Sequence, residues 1–516
     1  MEWRSVSTIR RLLSTGAHQA STGSGIASTN DEFVSDGPDD QSYMRGRWTD
    51  LKHMQDLDKS FELYPHNFRT TTTIPEFNST YQCLGPGEHR PETCVSLAGR
   101  VNTIRRSGKS LVFLELKGDG AKVQIMCDRK SFSTDFDFLL HAGDASTSQS
   151  GARGIRRGDL IGVQGYVGRN QRGEVCCFGT DLTILAPCVR LLPKEHFGLR
   201  DADLRYRHRH LDLLANADSR NAFVRRAAVV RGVRGFLEAR GFLEVETPVL
   251  SAAACGAAAR PFVTRSQVLG SELFLRVAPE LYLKRLVIGG IDRVYELGKC
   301  FRNEGVDATH NPEFTSVEAY MAYADYQDWM ALTEELLGSL AVAVTGNTRV
   351  PCSHMQPPPA TAGDGGRVEL ELGGPYRRLD FMESLASATG RTFPSPTELE
   401  TPESLRFLAD VAHAHGVRAE AVGGGTGTAG QLLDKLVGAL VEPELVQPTF
   451  LMHQPLCMSP LAKEHRSIPG LAERFELFVA RREIANSYSE LNDPRVQRMR
   501  FQAQADQRAA GDGEAQ

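Results

Sequence analysis

One short stretch carries the groups that nucleotide phosphoryl chemistry needs. Arg302 is a fixed cation, Glu304 puts a carboxylate two residues on, and His310, Asn311 and Phe314 add an imidazole, an amide and an aromatic ring. A guanidinium can meet charge developing on a phosphoryl group. Polar groups can read the edge of an adenine, and a ring can cover its face. A second set is spread along the chain: Glu280, Glu318, Glu476, Glu483 and Glu490, with Tyr320, Asn486 and Tyr488 among them.

Residues i, i+2 and i+4 of a strand share a face. By that rule Arg302 sits with Glu304, Glu318 with Tyr320, and Asn486 with Tyr488 and Glu490, within otherwise apolar segments. One such case is ordinary for a half-exposed strand. Three, together with Glu280, predict one polar cavity floored by an antiparallel sheet. Clustered buried carboxylates need cations, and a cationic substrate with magnesium supplies them. A carboxylate-lined pocket beside one arginine suits a basic amino acid, whose carboxylate could pair with Arg302. The residues alone leave lysine, arginine and a polyamine open.

The elements that must position these groups are legible in outline. Between 93 and 190, five short strands separated by glycine turns predict an OB-type barrel, with an SH3-like barrel as the rival. A charged segment over about 40–60 predicts a short helix, and 190–220 reads as a basic, polar connector. Phe223, Ala227, Val230, Val233 and Leu237 recur at helical spacing, with Gly241 as the C′ residue and a strand over 242–247. From 272 to 325 the pattern is antiparallel strands with one helix between them. A proline- and glycine-rich loop follows over 345–374, then helices at 379–390, 402–415 and 431–442, then strands over 449–490 with a loop containing Gly470. Gly423 to Gly427 resembles a phosphate loop, but no Gly-Lys-Ser/Thr follows, so it reads as a connector. The fold class is α+β. The expected domains are a leader and linker over 1–45, a barrel over 46–195 and an antiparallel-sheet domain with flanking helices over 196–516.

With 516 residues the chain exceeds one domain. Its 41% hydrophobic and 24% charged content is that of a globular protein, and no apolar run reaches membrane-spanning length. A net charge of -5 does not mark a nucleic-acid binder. Arg100, Arg105, Arg106, Lys109, Lys117, Lys122, Arg129 and Lys130 do, however, crowd one stretch of the barrel, either as a solvated sheet face or as a surface that tracks phosphates. The ten cysteines include no C-x-x-C pair, which predicts reduced thiols rather than zinc or disulfides. His208 and His210 lack a third ligand nearby and read as structural. Arg4, Arg10 and Arg11 with Trp3, Val6, Ile9 and Leu13, in a Ser/Thr-rich start with few acids, predict a mitochondrial transit peptide; a cytoplasmic location is the alternative.

Several blocks give the chain a family resemblance. Residues 205–212 (RYRHRHLD), 241–248 (GFLEVETP), 293–314, 318–326 (EAYMAYADY), 458–463 (MSPLAK) and 490–493 (ELND) resemble class II lysyl-tRNA synthetases from about Tyr64 onward. The second and third blocks resemble motifs 1 and 2 of class II; the later blocks are the ones particular to the lysine enzymes. The resemblance implies an OB-fold anticodon-binding domain followed by a class II catalytic domain. It implies that lysine and ATP form lysyl-adenylate, that the lysyl group passes to tRNA(Lys), and that magnesium assists. By resemblance Arg302 would hold the substrate carboxylate and α-phosphate as the catalytic cation. Glu304 would read the adenine amino group, Phe314 would stack on the ring, and His310 and Asn311 would lie near the triphosphate. Gly256, Glu280 and Glu318 would hold the α-amino group and Asn486 the carboxylate; Tyr320 and Glu490 would take the side-chain ammonium, with Tyr488 beside them. Glu476 and Glu483 would bind magnesium. Arg105, Phe113, Gln124 and Glu174 would read the anticodon, although Phe113 could equally be a core ring. Motif 1 implies a homodimer.

The chain departs from the family at Cys255 and Ala254, where glycine and proline are usual; a side chain at 255 could crowd the loop at the α-amino group. The family's third motif, a glycine-rich strand entering a helix with a triphosphate-clamping arginine, would begin beyond Gln516. The expectation is therefore a lysine–tRNA ligase that is inactive, or nearly so, as the 516-residue chain, since one such cation contributes roughly a few kcal/mol to the transition state. The rivals are an aspartate- or asparagine-type class II synthetase, against which Tyr320 and Glu490 argue, and a non-catalytic tRNA- or partner-binding relative.

Overall fold

The computed structural model describes residues 38–57, 59, 61–133, 136–140, 154–193, 199–252, 259–307, 309–352, 368–417 and 428–509. The transit-peptide reading, Gly423 to Gly427, and Ala254, Cys255 and Gly256 lie outside them. The described residues form two compact units that part between Asn221 and Ala222.

The first unit is a closed five-stranded barrel in the order β1-β2-β3-β5-β4, the OB arrangement rather than the SH3-like one. Its strands are β1 (His89–Ser107), β2 (Leu111–Gly118), β3 (Ala121–Asp128), β4 (Leu160–Arg169) and β5 (Val175–Ala186). Strand alternation fills the barrel: Val112, Leu114 and Leu116 of β2 and Val123, Ile125 and Cys127 of β3 are buried together. Gly165 permits the close approach of β4 to β5, because a Cβ there would lie 2.2 Å from the Phe178 carbonyl oxygen. Helix α1 (Pro38–Leu57) adds Leu51 and Met54 to this core. It also buries Arg47, whose guanidinium donates to Asp159 at 2.7 Å. Helix α2 (Ile74–Thr80) starts at a capping box of Thr73 and Glu76.

The stretch expected to be a connector instead carries helices α3 (Ala202–Arg207) and α4 (Arg209–Ala215) from residue 202 and enters α5 (Ala217–Glu238). Asp212, fully buried, explains this. It accepts from Arg205 at 2.8 Å, from Asn216 at 2.7 Å and from Ser219 at 2.9 Å, and it pairs with Arg209. The basic run that reads as solvated is therefore folded around one carboxylate. Arg220 pairs with Asp119 of the β2–β3 turn, which ties the start of α5 to the barrel. His208 joins α3 to α4, which is a structural place.

In the second unit α5 ends as predicted, with Gly241 at φ +76°. The strand expected over 242–247 is only β6 (Leu243–Glu244), paired parallel with Val294 and Tyr295. Short strands β7 (Leu250–Ser251), β8 (Val263–Arg265) and β9 (Glu272–Leu275) lead to helix α6 (Glu280–Ile288). The antiparallel pair β10 (Arg293–Phe301) and β11 (Glu313–Met321) follows, then helix α7 (Tyr326–Thr345), capped by Asp325. The region read as a loop from 345 contains a hairpin of β12 (Arg349–Cys352) and β13 (Val368–Glu371) at its two ends. β14 (Arg377–Asp380) precedes helices α8 (Phe381–Thr389), α9 (Pro402–Ala414) and α10 (Ala429–Leu440), as predicted from periodicity. β15 (Thr449–Met452), β16 (Arg474–Val479) and β17 (Arg482–Tyr488) complete a four-stranded sheet with β14, before α11 (Pro494–Ala509).

One face of these strands makes the core. Tyr295, Val317, Ala319, Phe475, Leu477 and Val479 pack against Val233, Leu237, Trp329 and Leu337. A second cluster joins α8, α9 and α10 through Leu385, Leu408 and Leu433. Because side chains alternate, the opposite faces of β10, β11, β16 and β17 are left for polar groups.

Candidate active site

Glu318 and Tyr320 project from β11 on the face opposite the core residues Val317 and Ala319. Tyr320 donates its hydroxyl to Glu318 at 3.3 Å, and both are buried. Glu280, also buried, is the first residue of α6. Tyr488, at the end of β17, donates to it at 2.7 Å. Glu490 follows β17 and is held by a bridge between its own backbone and that of Ala462. The Lys284 ammonium sits between the last two carboxylates, 2.6 Å from Glu280 and 2.6 Å from Glu490. It lies 6.0 Å from the centre of the Tyr320 ring and 5.6 Å from that of Tyr488. The structure thus gathers Glu280, Tyr320, Tyr488 and Glu490 around one ammonium group, with Glu318 joined to them through the Tyr320 hydroxyl.

The electrostatics follow from this packing. Burial pulls the Lys284 ammonium down, but Glu280 and Glu490 outweigh it and hold it above its ordinary value. Burial pushes the Glu490 carboxyl up against the pull of Lys284, with Glu280 adding to the rise. Burial and the neighbouring carboxylates raise both tyrosine hydroxyls, so each remains a proton donor.

Beside this cluster, Glu476 stands opposite Asn486 across β16 and β17. Arg474 organises both. It donates to Glu476 at 2.6 Å, to Asn486 at 3.2 Å, to the Ser459 hydroxyl at 3.0 Å and to the Met458 carbonyl at 2.8 Å. Glu483, opposite Phe478, lies past a bulge in β17, where Ile484 is the extra residue. Among the described residues no three His, Cys, Asp or Glu side chains gather into a self-contained metal site. Two carboxylates are nevertheless a fitting protein contribution for magnesium, which commonly completes its shell with phosphate oxygens and water.

The third part is the turn between β10 and β11. β10 ends at Phe301, so Arg302 and Glu304 lie in a loop and the strand rule does not apply to them. The Arg302 guanidinium lies 5.3 Å from the centre of the Phe314 ring, and its amide donates to the Pro312 carbonyl at 2.9 Å. Glu304 accepts from the Arg260 amide at 3.2 Å while Asn303 donates to the Arg260 carbonyl at 2.7 Å. The loop is thereby clamped to residue 260. His310 approaches Asp307 at 2.9 Å, and Asn311 donates to the Glu313 carbonyl at 3.1 Å. Slight burial works against Asp307, but hydrogen bonds from Thr309 and His310 hold it well below the usual carboxylate range.

Beneath this turn lies a buried pair absent from the sequence reading. Arg276 donates to Glu296 at 2.5 Å and to the Lys299 carbonyl at 2.8 Å, and Thr247 donates its hydroxyl to Glu296 at 2.6 Å. The Arg276 carbonyl accepts from Phe301 at 3.0 Å. A Cβ on Gly298 would come within 2.4 Å of Arg276, so only glycine leaves room for the guanidinium. Lys284 and Arg474 were missed as well, though each carried a signal. Lys284 is one helical turn after Glu280, and Arg474 is two strand positions before Glu476.

In the barrel, Arg105, Phe113, Gln124 and Glu174 line one groove of about 900 Å³, together with Arg106, Lys122 and Arg172. Phe113 is not a core ring; it faces outward between the buried Val112 and Leu114. Asn170 bridges Gln124 at 3.2 Å and Glu174 at 2.9 Å. All nine described cysteines are free thiols.

Antiparallel strands that carry a polar cluster on one face, a cation over an aromatic ring, and a separate OB barrel together define a class. Residues 201–514 match the family described as tRNA synthetases class II (D, K and N), and residues 95–192 match the OB-fold nucleic acid binding domain. The chain belongs to the class II tRNA synthetases of that group. Among its relatives is the lysine–tRNA ligase cla4 of Cladosporium cladosporioides, 43% identical over 88% of this chain and 73% of its own length. A probable cytoplasmic lysine–tRNA ligase of Encephalitozoon cuniculi is 41% identical over 89% and 86%. The lysine–tRNA ligase of Gloeobacter violaceus is 42% identical over 88% and 84%.

Proposed function

We propose that this chain is a lysine–tRNA ligase, activating lysine with ATP and passing the lysyl group to tRNA(Lys). The observation that carries the choice of amino acid is the cluster around Lys284. Two carboxylates and two tyrosines already hold one ammonium on a four-carbon stem, which is the chemistry a lysine side chain presents. Tyr320 and Glu490 accept the ε-ammonium with Tyr488 beside them. Glu280, Glu318 and Gly256 hold the α-amino group, and Asn486 lies near the carboxylate. An acidic amino acid would meet this cluster with like charge.

Arg302 neutralises the carboxylate and α-phosphate, so that the carboxylate oxygen can attack phosphorus in line with pyrophosphate leaving. Phe314 covers the adenine, Glu304 accepts from its amino group, and His310 and Asn311 lie toward the triphosphate. Glu476 and Glu483 would hold magnesium, which supplies charge neutralisation to the phosphates when bound. Arg105, Phe113, Gln124 and Glu174 read the anticodon by stacking and base-edge hydrogen bonds. Phe223, Val224, Leu243, Val249 and Leu250 are exposed apolar residues around motif 1, which supports a homodimer through that surface; light scattering would test it. The basic amphipathic start supports mitochondrial import, tested by fusing residues 1–45 to a fluorescent reporter.

The deciding experiment is calorimetric titration of the chain with each amino acid in the presence of ATP. Lysine should bind, and aspartate and asparagine should not. Binding of either of those two in place of lysine would overturn the assignment.

A further inference from the structure

The Lys284 ammonium occupies the position that the proposal above gives to the substrate's own side-chain ammonium. Its stem and charged group are those of lysine itself, and its contacts with Glu490, Tyr320 and Tyr488 are the ones assigned to the ligand. The two cannot both hold the same carboxylate oxygen in the same way. Lys284 has a second partner, however. Glu280 lies one turn earlier on α6 and receives the ammonium at 2.6 Å. That bond spans four residues of one helix, so it can persist when the bond to Glu490 breaks. Glu490 is the more open of the two carboxylates, with its side chain 38% exposed against 10% for Glu280. The approach to the cluster is therefore from the Glu490 side.

We infer that Lys284 is a resident ammonium that holds Glu490 in place when the pocket is empty and yields it to the side-chain ammonium of lysine, while staying paired with Glu280. This rests on the reading of the pocket as a lysine site. Lys284 is thus a positioning residue with a consequence for selectivity. Lysine exchanges one ammonium for another and leaves no charge unpaired. A neutral analogue such as norleucine cannot displace Lys284 from Glu490 and meets its ammonium in the space the chain end needs. With lysine bound, Glu280, Glu318 and Glu490 face three cations: the two ammonium groups of lysine and Lys284. The charges then balance.

The exchange predicts opposite effects for two substitutions. In Lys284→Met the volume is kept and the competitor is gone. In Lys284→Arg a guanidinium can grip Glu490 with two parallel hydrogen bonds and yields it poorly. If Lys284 were only a scaffold cation, arginine would be the conservative replacement and methionine the damaging one. The experiment is calorimetric titration of the full chain and both variants with lysine and with norleucine at pH 8. The expected result is a Kd for lysine at least tenfold weaker in Lys284→Arg, and within about threefold of wild type in Lys284→Met. Selectivity for lysine over norleucine should fall at least fivefold in the methionine variant.

Arginine binding lysine like wild type, with methionine tenfold weaker or worse, would overturn the exchange. Should the methionine variant fail to fold, the arginine variant decides alone, since undiminished lysine binding there contradicts the exchange. Failure of lysine to bind the wild-type chain, with another amino acid binding instead, would refute the underlying site assignment and is read from the unsubstituted protein.

Discussion

Removing Arg276 tests the architecture of the active-site turn without touching any residue assigned to substrate. Both side chains of the Arg276–Glu296 pair are only 5% exposed. Arg276→Met keeps most of the volume but leaves Glu296 charged and stripped of its cation. Loss of one partner of a buried pair costs about 3–5 kcal/mol. Thr247 still donates to Glu296 through its hydroxyl at 2.6 Å and its amide at 3.2 Å, which places the expected loss at the lower end, about 3 kcal/mol. With an m-value of about 3 kcal/mol/M for a large unit, the urea midpoint should drop by about 1 M. Trp329 reports the transition because it lies in the core that β10 and β11 share. The double variant Arg276→Met/Glu296→Gln removes the stranded charge and keeps an acceptor for Thr247. It should recover about half of the loss, as coupling between touching groups requires. A midpoint shift below about 0.2 M for Arg276→Met, or a double variant as unstable as the sum of its parts, would show that the pair does not anchor β10.

Tyr488→Phe removes the hydroxyl that donates to Glu280 at 2.7 Å. Hydrogen bonds to a charged group contribute about 1.5–3 kcal/mol, so calorimetry should read a lysine Kd at least tenfold weaker with the fold intact. Phe113→Ala should weaken binding of an anticodon stem-loop by about 1–3 kcal/mol, the range for one stacked base, and leave barrel stability nearly unchanged because the ring lies off the core. Glu473, 3% exposed, pairs with Arg466 at 2.5 Å. Burial works against it, but the guanidinium outweighs this and holds the carboxyl down at about 2, against an ordinary 4.5. A depressed folded-state value means stability that is complete above the unfolded value and lost as pH falls through the folded one. Wild type should therefore lose its advantage over Glu473→Gln between about pH 5 and pH 2 in urea titrations. The loss should be about 1–2 kcal/mol after screening at the exposed Arg466 end; an unchanged difference across that window would rule it out.

Alternation made the floor of the site legible. Valine and alanine at 317 and 319 point to the core, so Glu318 and Tyr320 must point away, and the same holds for Asn486 against Ala485. Period two says nothing past a strand end, so it cannot place Arg302 and Glu304, because β10 stops at Phe301. The same period settles Phe113 once its neighbours Val112 and Leu114 are both buried. The helices of 202–220 are hidden in a pattern that reads as a connector, because their order comes from one carboxylate, Asp212, gathering partners on either side of it along the chain. Charge runs look solvated until the acid that collects them is placed. The Arg276–Glu296 pair is invisible in the sequence for a related reason: the two residues belong to different elements and meet only because Gly298 leaves a gap.

The cations that a carboxylate-rich site requires are partly supplied by the protein rather than by substrate and magnesium, and the three internal pairs differ in a way that separates scaffold from site. Arg276 is closed, its donors directed to Glu296, Thr247 and the Lys299 carbonyl. Arg474 is nearly so, spanning Glu476, Asn486, Ser459 and Met458. Planar guanidinium groups suit such fixed, many-partnered tasks. Lys284 is a point charge on a flexible stem, shared between two carboxylates of unequal exposure. A rigid fork would be the better anchor there if anchoring were the only requirement. Lysine at that position fits a pair that has to open, with arginine kept for the pairs that must not.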